Sequence, residues 1–318
     1  MNMNSSILTT NHGGLVTKPT GFDGGQNAKE QRMARRATIL ETAFRSSRDF
    51  LDNRFIYAVI SARARGLSLG VNMNPDRYCN YDCAYCEVDR GAPAGETDLD
   101  IDVMVTELRR TLAFVHSGAL REHRHYHRLP PELLQLRHVA LSGDGEPTLC
   151  PKFAEAVETV VHLRALNGLP YFKLVLITNA TGLDLPQVQQ SLRYFTQKDE
   201  IWVKLEAGTQ SYMDKVNRSN VPLEKVLSNI LNLGRQRPVV IQGLFPSVNG
   251  EGPSTAEVGQ YARRLQELKD GGAQISLVQI YSATRPTPHS ECSHLPLKPL
   301  SAIAQIVRNT TGLNVEVF

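Results

Sequence analysis

Six short apolar runs recur along this 318-residue chain with helix-period segments between them. That alternation limits the folds open to the chain more than any other feature. The runs are LSLGVNM (67–73), LRHVALS (136–142), YFKLVLIT (171–178), IWVKLEA (201–207), PVVIQGLF (238–245) and QISLVQIY (274–281). Near-continuous apolar, β-branched stretches of this length read as strands buried on both faces. Between them, sets such as Val105, Leu108, Leu112 and Val115, or Val258, Tyr261, Ala262, Leu265 and Leu268, repeat at the spacing of one helix face. Strand and helix in regular alternation give an α/β fold with a parallel sheet covered by helices.

The flanks read differently. Residues 1–35 carry no apolar periodicity and are expected to be a flexible tail, while the arginine-rich run 36–65 has helical spacing and is expected to be a helical N-terminal extension. A core over 66–285 and a C-terminal extension over 286–318, with a closing helix through Leu300, Ile303 and Val307, complete the division. Nowhere do about 18 apolar residues run together, so no membrane span is expected. The N-terminus lacks the pattern of a secretory signal, and the acids Glu41, Asp49 and Asp52 count against a transit peptide. A cytoplasmic location is the expectation. A net charge of +3 is too small to demand a nucleic-acid partner.

RYCNYDCAYCEV (77–88) places Cys79, Cys83 and Cys86 in the loop after the first of the six strands, separated by three residues and then by two. In parallel α/β sheets, function gathers at the carboxyl ends of strands. Thiolates suit zinc or iron–sulfur clusters. A structural zinc site takes four protein ligands, usually as two pairs, yet Cys150 and Cys292 stand alone in other loops, so a distant histidine would have to complete it. A cubane cluster takes four cysteines, and three leave one iron open for chemistry. Five cysteines, with three crowded together, also point to a reduced compartment rather than a disulfide framework.

Other strand ends carry polar residues. SGDGEPTL (142–149) is either an acidic Gly-Pro turn or a place where backbone and the Glu146 carboxylate meet a ligand's ammonium group. Asn179, in ITNAT, has the donor and acceptor of a ribose or carboxylate contact, and equally those of an Asx turn or cap. Lys204 and Glu206 are two apart and share one face of their strand, as ligand contacts or as a salt bridge. Gln242, Ser282 and Arg285 close the last two strands. REHRHYHRL (121–129) interleaves Arg121, Arg124 and Arg128 with histidines and Tyr126, which suits RNA or a solvated loop.

With Tyr85 before the last thiol, the three cysteines resemble the cluster motif of the radical S-adenosylmethionine (SAM) superfamily. LSLGVNMNPDRYCNYDCAYC followed by HVALSGDGEPTL is most similar to the group containing the wyosine-type transfer-RNA base synthases. The resemblance implies a (β/α)6 partial TIM barrel and a [4Fe–4S] cluster on Cys79, Cys83 and Cys86. S-adenosyl-L-methionine would bind the open iron and be cleaved reductively to a 5′-deoxyadenosyl radical that abstracts hydrogen from a substrate. It further implies that Tyr85 lies at the cofactor site and that Gly143, Asp144, Gly145, Glu146 and Pro147 hold the methionyl amine. Asn179, Lys204 and Glu206 would serve its carboxylate and ribose. An external one-electron donor of flavodoxin or ferredoxin type is implied too. The chain departs from that group in lacking a second N-terminal cysteine set and a flavodoxin-like domain, so the substrate is left as a transfer-RNA base or a related nucleoside or metabolite. The alternative is a zinc- or iron–sulfur-containing binding protein without turnover.

Overall fold

All six apolar runs form strands, and a seventh precedes them. The computed structural model describes residues 50–91, 96–166, 170–285 and 287–318; the expected tail and residues 36–49 of the expected helical extension lie outside the described residues. Within that extension, Ile56–Ser61 is strand β1, not helix, and pairs antiparallel with β2 (Gly66–Asn72). Its burial alternates residue by residue, the signature of a strand with one covered face. A hairpin turn joins the two, with Arg65 at φ 56° and its N–H bonded to the Ala62 carbonyl at 3.0 Å. The cysteine loop therefore follows the second strand of the described residues.

From β2 onward the strands run parallel: β3 (Leu136–Ser142), β4 (Leu174–Thr178), β5 (Glu200–Lys204), β6 (Val239–Leu244), β8 (Ile275–Tyr281) and β10 (Val315–Val317), in the order β1-β2-β3-β4-β5-β6-β8-β10. A small antiparallel pair, β7 (Ser247–Val248) and β9 (Cys292–Ser293), sits apart from this sheet. Helices α1 (Ile101–His116), α2 (Phe153–Ala165), α3 (Pro186–Leu192), α4 (Gln210–Val216), α5 (Leu223–Gln236), α6 (Thr255–Asp270) and α7 (Leu297–Thr311) alternate with the strands. The result is a curled half-barrel, a partial TIM barrel with helices on its outer side.

Period two sorts the strand residues onto two surfaces. Val139, Leu141, Leu174, Leu176, Ile201, Val203, Ile241 and Ile280 join the main core with the helices. Their alternates Ala140, Val175, Trp202 and Val240 form a separate small cluster with Ile177 and Leu277, which marks the concave face. By the same alternation Lys204, Gln242, Gln279 and Tyr281 belong to that inner face.

The hairpin after β1 reaches across the open side of the curl. Arg65 pairs with Glu316 of β10 at 2.7 Å, and the Arg63 guanidinium carbon lies 4.0 Å from the centre of the Tyr281 ring on β8. The loop 117–135 leads into the start of β3, at the end of the sheet opposite the cysteines. Tyr126 there is buried, donates to the Ala58 carbonyl and stacks edge-on with Phe50. It is a core residue, not a platform for a base. Among the described residues no helix is long and apolar enough to cross a membrane.

Candidate active site

The cysteine loop is laced to the segment after β5. Ala84 N–H donates to the Val216 carbonyl (2.8 Å) and Asp82 N–H to the Asn217 carbonyl (3.1 Å), while Cys86 N–H turns back to the Cys83 carbonyl (2.9 Å). Each of the three sulfurs meets an N–H donor. Tyr81 N–H faces Cys79 Sγ at 3.5 Å, Asn217 Nδ2 faces Cys83 Sγ at 3.5 Å, and Arg90 Nη1 faces Cys86 Sγ at 3.7 Å. Donors aimed at sulfur stabilise thiolate and are among the means by which a protein sets a cluster's potential. Burial pushes the Cys83 thiol up to about 12 and also raises Cys79, so these thiols ionise readily only with a metal's positive charge beside them.

No group of three or more Cys, His, Asp or Glu side chains among the described residues is gathered as a single metal ion needs. Among the described residues no histidine joins the three thiols in a closed zinc site. The donor set, three soft thiols in one loop, fits a cluster with several iron atoms instead. Cys150 follows the turn after Glu146, and Cys292 lies in β9.

The acidic loop stands directly against the cysteine loop. Gly143 has φ 136°, a region closed to most side chains, and a β-carbon there would strike the side chain of Asn72. A β-carbon on Gly145 would strike the Tyr78 carbonyl oxygen, and Glu146 N–H donates to that same oxygen at 3.2 Å. The glycines thus admit the protein's own chain, where backbone approach to a ligand was the expectation. Asp144 accepts from Asn72 Nδ2 at 2.8 Å, and Pro147 opens a short 3-10 turn (Pro147–Leu149).

Glu146 is buried beneath this contact and gathers four donors. Thr148 N–H (3.1 Å) and hydroxyl (2.6 Å) and the Thr178 hydroxyl (2.5 Å) reach Oε1, and Asn179 N–H (2.7 Å) reaches Oε2. Burial raises its pKa against the pull of these donors. It ties the end of β3 to the end of β4 and leaves acceptor capacity only on Oε2. Asn179 forms the Asx turn: its Oδ1 accepts from Thr181 N–H and hydroxyl, and its Nδ2 donates to Asn80 Oδ1 at 2.9 Å. Both expected ligand contacts are therefore largely engaged within the protein.

Lys204 and Glu206 are brought together with Tyr85. Lys204 Nζ donates to the Tyr85 hydroxyl at 3.0 Å, lies 4.6 Å from the centre of its ring, and stands 3.4 Å from Glu206 Oε1. Asn217 Nδ2 reaches Glu206 Oε2, the Tyr85 hydroxyl and Cys83 Sγ. Burial alone would lower Lys204, but the Glu206 carboxylate, with Tyr281 and the cysteines, drives its pKa up. Glu206 Oε1 is buried and has no hydrogen-bond partner among the described residues. A carboxylate oxygen in that state is an acceptor awaiting a donor.

Three flanking candidates are committed elsewhere or only partly engaged. Arg285 pairs with Glu87 at 2.9 Å and the Ser282 hydroxyl accepts from Leu295 N–H, whereas Gln242 lies fully buried on the inner face. Sequence reasoning missed Asn217 and Arg90. Asn217 merely caps α4 and carries no motif, whereas Arg90 stands four residues after Cys86, a basic neighbour visible in the sequence.

The sequence profile of the radical SAM superfamily matches residues 73–258, more than half of the chain, from just before the cysteine loop into α6. This chain belongs to the radical SAM superfamily. A radical SAM enzyme works with a [4Fe–4S] cluster and S-adenosyl-L-methionine, and needs a source of single electrons. The chain is 22% identical over 242 residues to a UPF0026 protein of Helicobacter pylori, spanning 74% of this chain and 70% of that one. It is 28% identical over 184 residues to a UPF0026 protein of Synechocystis, spanning 55% and 57%. Among solved structures, Streptococcus suis SuiB bound to S-adenosylmethionine superposes with a TM-score of 0.53 at 12% identity, over 93% of this chain and 57% of SuiB. TYW1 with a lysine-pyruvate adduct bound gives 0.51 at 13% identity, over 90% of both chains. At such identities these two neighbours establish the radical SAM fold and nothing narrower.

Proposed function

We propose that Cys79, Cys83 and Cys86 ligate the [4Fe–4S] cluster, and that Lys204 and Glu206 hold S-adenosyl-L-methionine across the inner rim of the half-barrel. The observation that carries this reading is the N–H donor at each of the three sulfurs, on one loop at the carboxyl end of β2. When bound, the cluster supplies one electron to the sulfonium and so starts hydrogen abstraction from a substrate.

The protein's own groups do the rest. Asn217 links Cys83 to Glu206, so the sulfur and the cofactor's carboxylate partner share one hinge-free contact. Glu206 Oε1 accepts from a ribose hydroxyl or the methionyl ammonium, and Lys204 supplies the cation for the methionyl carboxylate. The Glu146 carboxylate fixes the acidic loop and offers the spare acceptor site on Oε2 to the ammonium group, while Asn179 keeps the β4 end in shape. Tyr85 lies between Lys204 and Cys83 and excludes water there.

The substrate is a nucleoside or related small metabolite. The basic loop at Arg121, Arg124 and Arg128 stands at the opposite end of the sheet from the cysteines, which disfavours a long transfer RNA gripped by that loop. An electron donor of flavodoxin or ferredoxin type and a cytoplasmic location complete the proposal.

Anaerobic reconstitution tests it. The expected result is about four irons per chain and, on reduction, 5′-deoxyadenosine detected by mass spectrometry. Cys83→Ala should lose both. Stoichiometric zinc without cleavage overturns the reading, and transfer-RNA binding that weakens when the three arginines are neutralised would restore an RNA substrate.

A further inference from the structure

The hairpin carries two arginines, Arg63 and Arg65, whose charges are handled differently. The hairpin's ion pair is made by Arg65 with Glu316, and among the described residues no carboxylate lies within ion-pair distance of Arg63. Its guanidinium instead lies over Tyr281, a nearly buried ring on the concave face. The charge is felt across the curl as well: with burial as the main cause and Lys173 and Arg63 adding to it, His138 on β3 is pushed down to about 3. A guanidinium stacked on a ring keeps its in-plane N–H donors free, in the fork geometry that matches carboxylate or phosphate.

A second, independent irregularity lies beside it. Two residues before Tyr281 on the same strand face, Gln279 Oε1 accepts from Gln242 Nε2 at 2.9 Å. Gln242 is fully buried, yet among the described residues its own Oε1 has no hydrogen-bond partner. A buried acceptor left open costs free energy unless something donates to it. Gln242 is also the register partner of Lys204, so this pair adjoins the Lys204–Glu206 site along one level of the sheet.

We infer that the concave face beside Lys204 and Glu206 is the substrate's subsite, in which Arg63 binds a carboxylate or phosphate group and Gln242 Oε1 accepts from an O–H or N–H of the same molecule. The inference rests on the function proposed above and names the substrate class: a small anionic metabolite or nucleotide with a hydrogen-bond donor.

Isothermal titration calorimetry on the reconstituted full chain, at constant ionic strength, tests it with inorganic phosphate, methylphosphonate and acetate as probes. One site per chain is expected, weakened at least tenfold by Arg63→Met and by the polar neutral variant Arg63→Gln, and partly restored by Arg63→Lys. Tighter phosphate than acetate assigns a phosphorylated substrate, and the reverse order a carboxylate. No anion binding by the unmodified protein, or equal binding by Arg63→Met, overturns the subsite. Cleavage of S-adenosylmethionine by the same unmodified preparation is measured in parallel. Its absence with anion binding intact strikes the proposed function, whereas cleavage without anion binding strikes only the Arg63 subsite.

Discussion

Asp199 and Glu206 are two buried carboxylates at opposite ends of the same strand, and they are treated in opposite ways. Asp199, just before β5, has every acceptor position filled: Arg164 Nη1 and Leu174 N–H reach Oδ1, each at 2.7 Å, and Thr196 N–H (2.7 Å) and hydroxyl (2.9 Å) reach Oδ2. Glu206, just past the strand's other end, keeps one oxygen without a hydrogen bond among the described residues while a lysine stands 3.4 Å away. Equal burial with unequal satisfaction separates a stabilising end of the sheet from a working end, as expected for parallel barrels whose chemistry sits at the carboxyl ends of strands.

Removing each carboxylate is the strongest way to break that contrast. Asp199→Ala strands Arg164 in the interior and should cost about 3–5 kcal/mol in urea unfolding, while S-adenosylmethionine cleavage per folded molecule persists. Glu206→Gln should cost less in unfolding than Asp199→Ala, because Lys204 keeps partial access to water and the amide is nearly isosteric, but reduce cleavage by roughly a hundredfold, on the order of one charged hydrogen bond. Similar stability losses in both variants would make Glu206 a structural group.

Acid sharpens the comparison further. Burial alone would raise Asp199, yet Arg164 and the N–H groups of Leu174 and Thr196 hold it below the usual carboxylate value. Its contribution is therefore complete above the unfolded pKa, about 4, and lost as pH falls through the lower folded value. Urea midpoints of the metal-free chain between about pH 5 and 2.5 should fall more steeply for the native sequence than for Asp199→Asn. The smallest effect belongs to Arg90. Arg90→Met removes a cation from beside Cys86, which disfavours the more negative reduced cluster, so its potential should drop by roughly 40 mV, about 1 kcal/mol for one electron. A redox titration followed by electron paramagnetic resonance reads that shift.

What the sequence disclosed follows from how locally each feature is encoded. Strands β2 to β6 and β8 are legible because both faces are covered, which leaves nearly uninterrupted apolar runs. β1 reads as helix in the sequence because Tyr57 and Val59, on its partly covered face, are themselves apolar, so the alternation of burial is not an alternation of residue type, and its arginine-rich surroundings imitate a helical stripe. Lys204 and Glu206 read as neighbours from strand period and do stand 3.4 Å apart, although the strand itself ends at Lys204. The self-satisfied state of Glu146 is not legible in the sequence, since it depends on Thr178 and Asn179 arriving from another strand end, whereas the Asx turn of Asn179 onto Thr181 is local and is one of the two readings the sequence offers. Asn217 lies 134 positions from Cys83, and no local pattern announces a contact of that span.

The carbonyl of Tyr78, seated where Gly145 would otherwise carry a side chain, leaves no play between the two loops. The sulfur-bearing segment is thereby referenced to the strand ends along its length and does not hang from its own two termini. On the proposed reading, loading iron into such a mould is a filling step more than a folding step, and a single added methyl group at position 145, which would meet the Tyr78 carbonyl, is expected to spoil the casting.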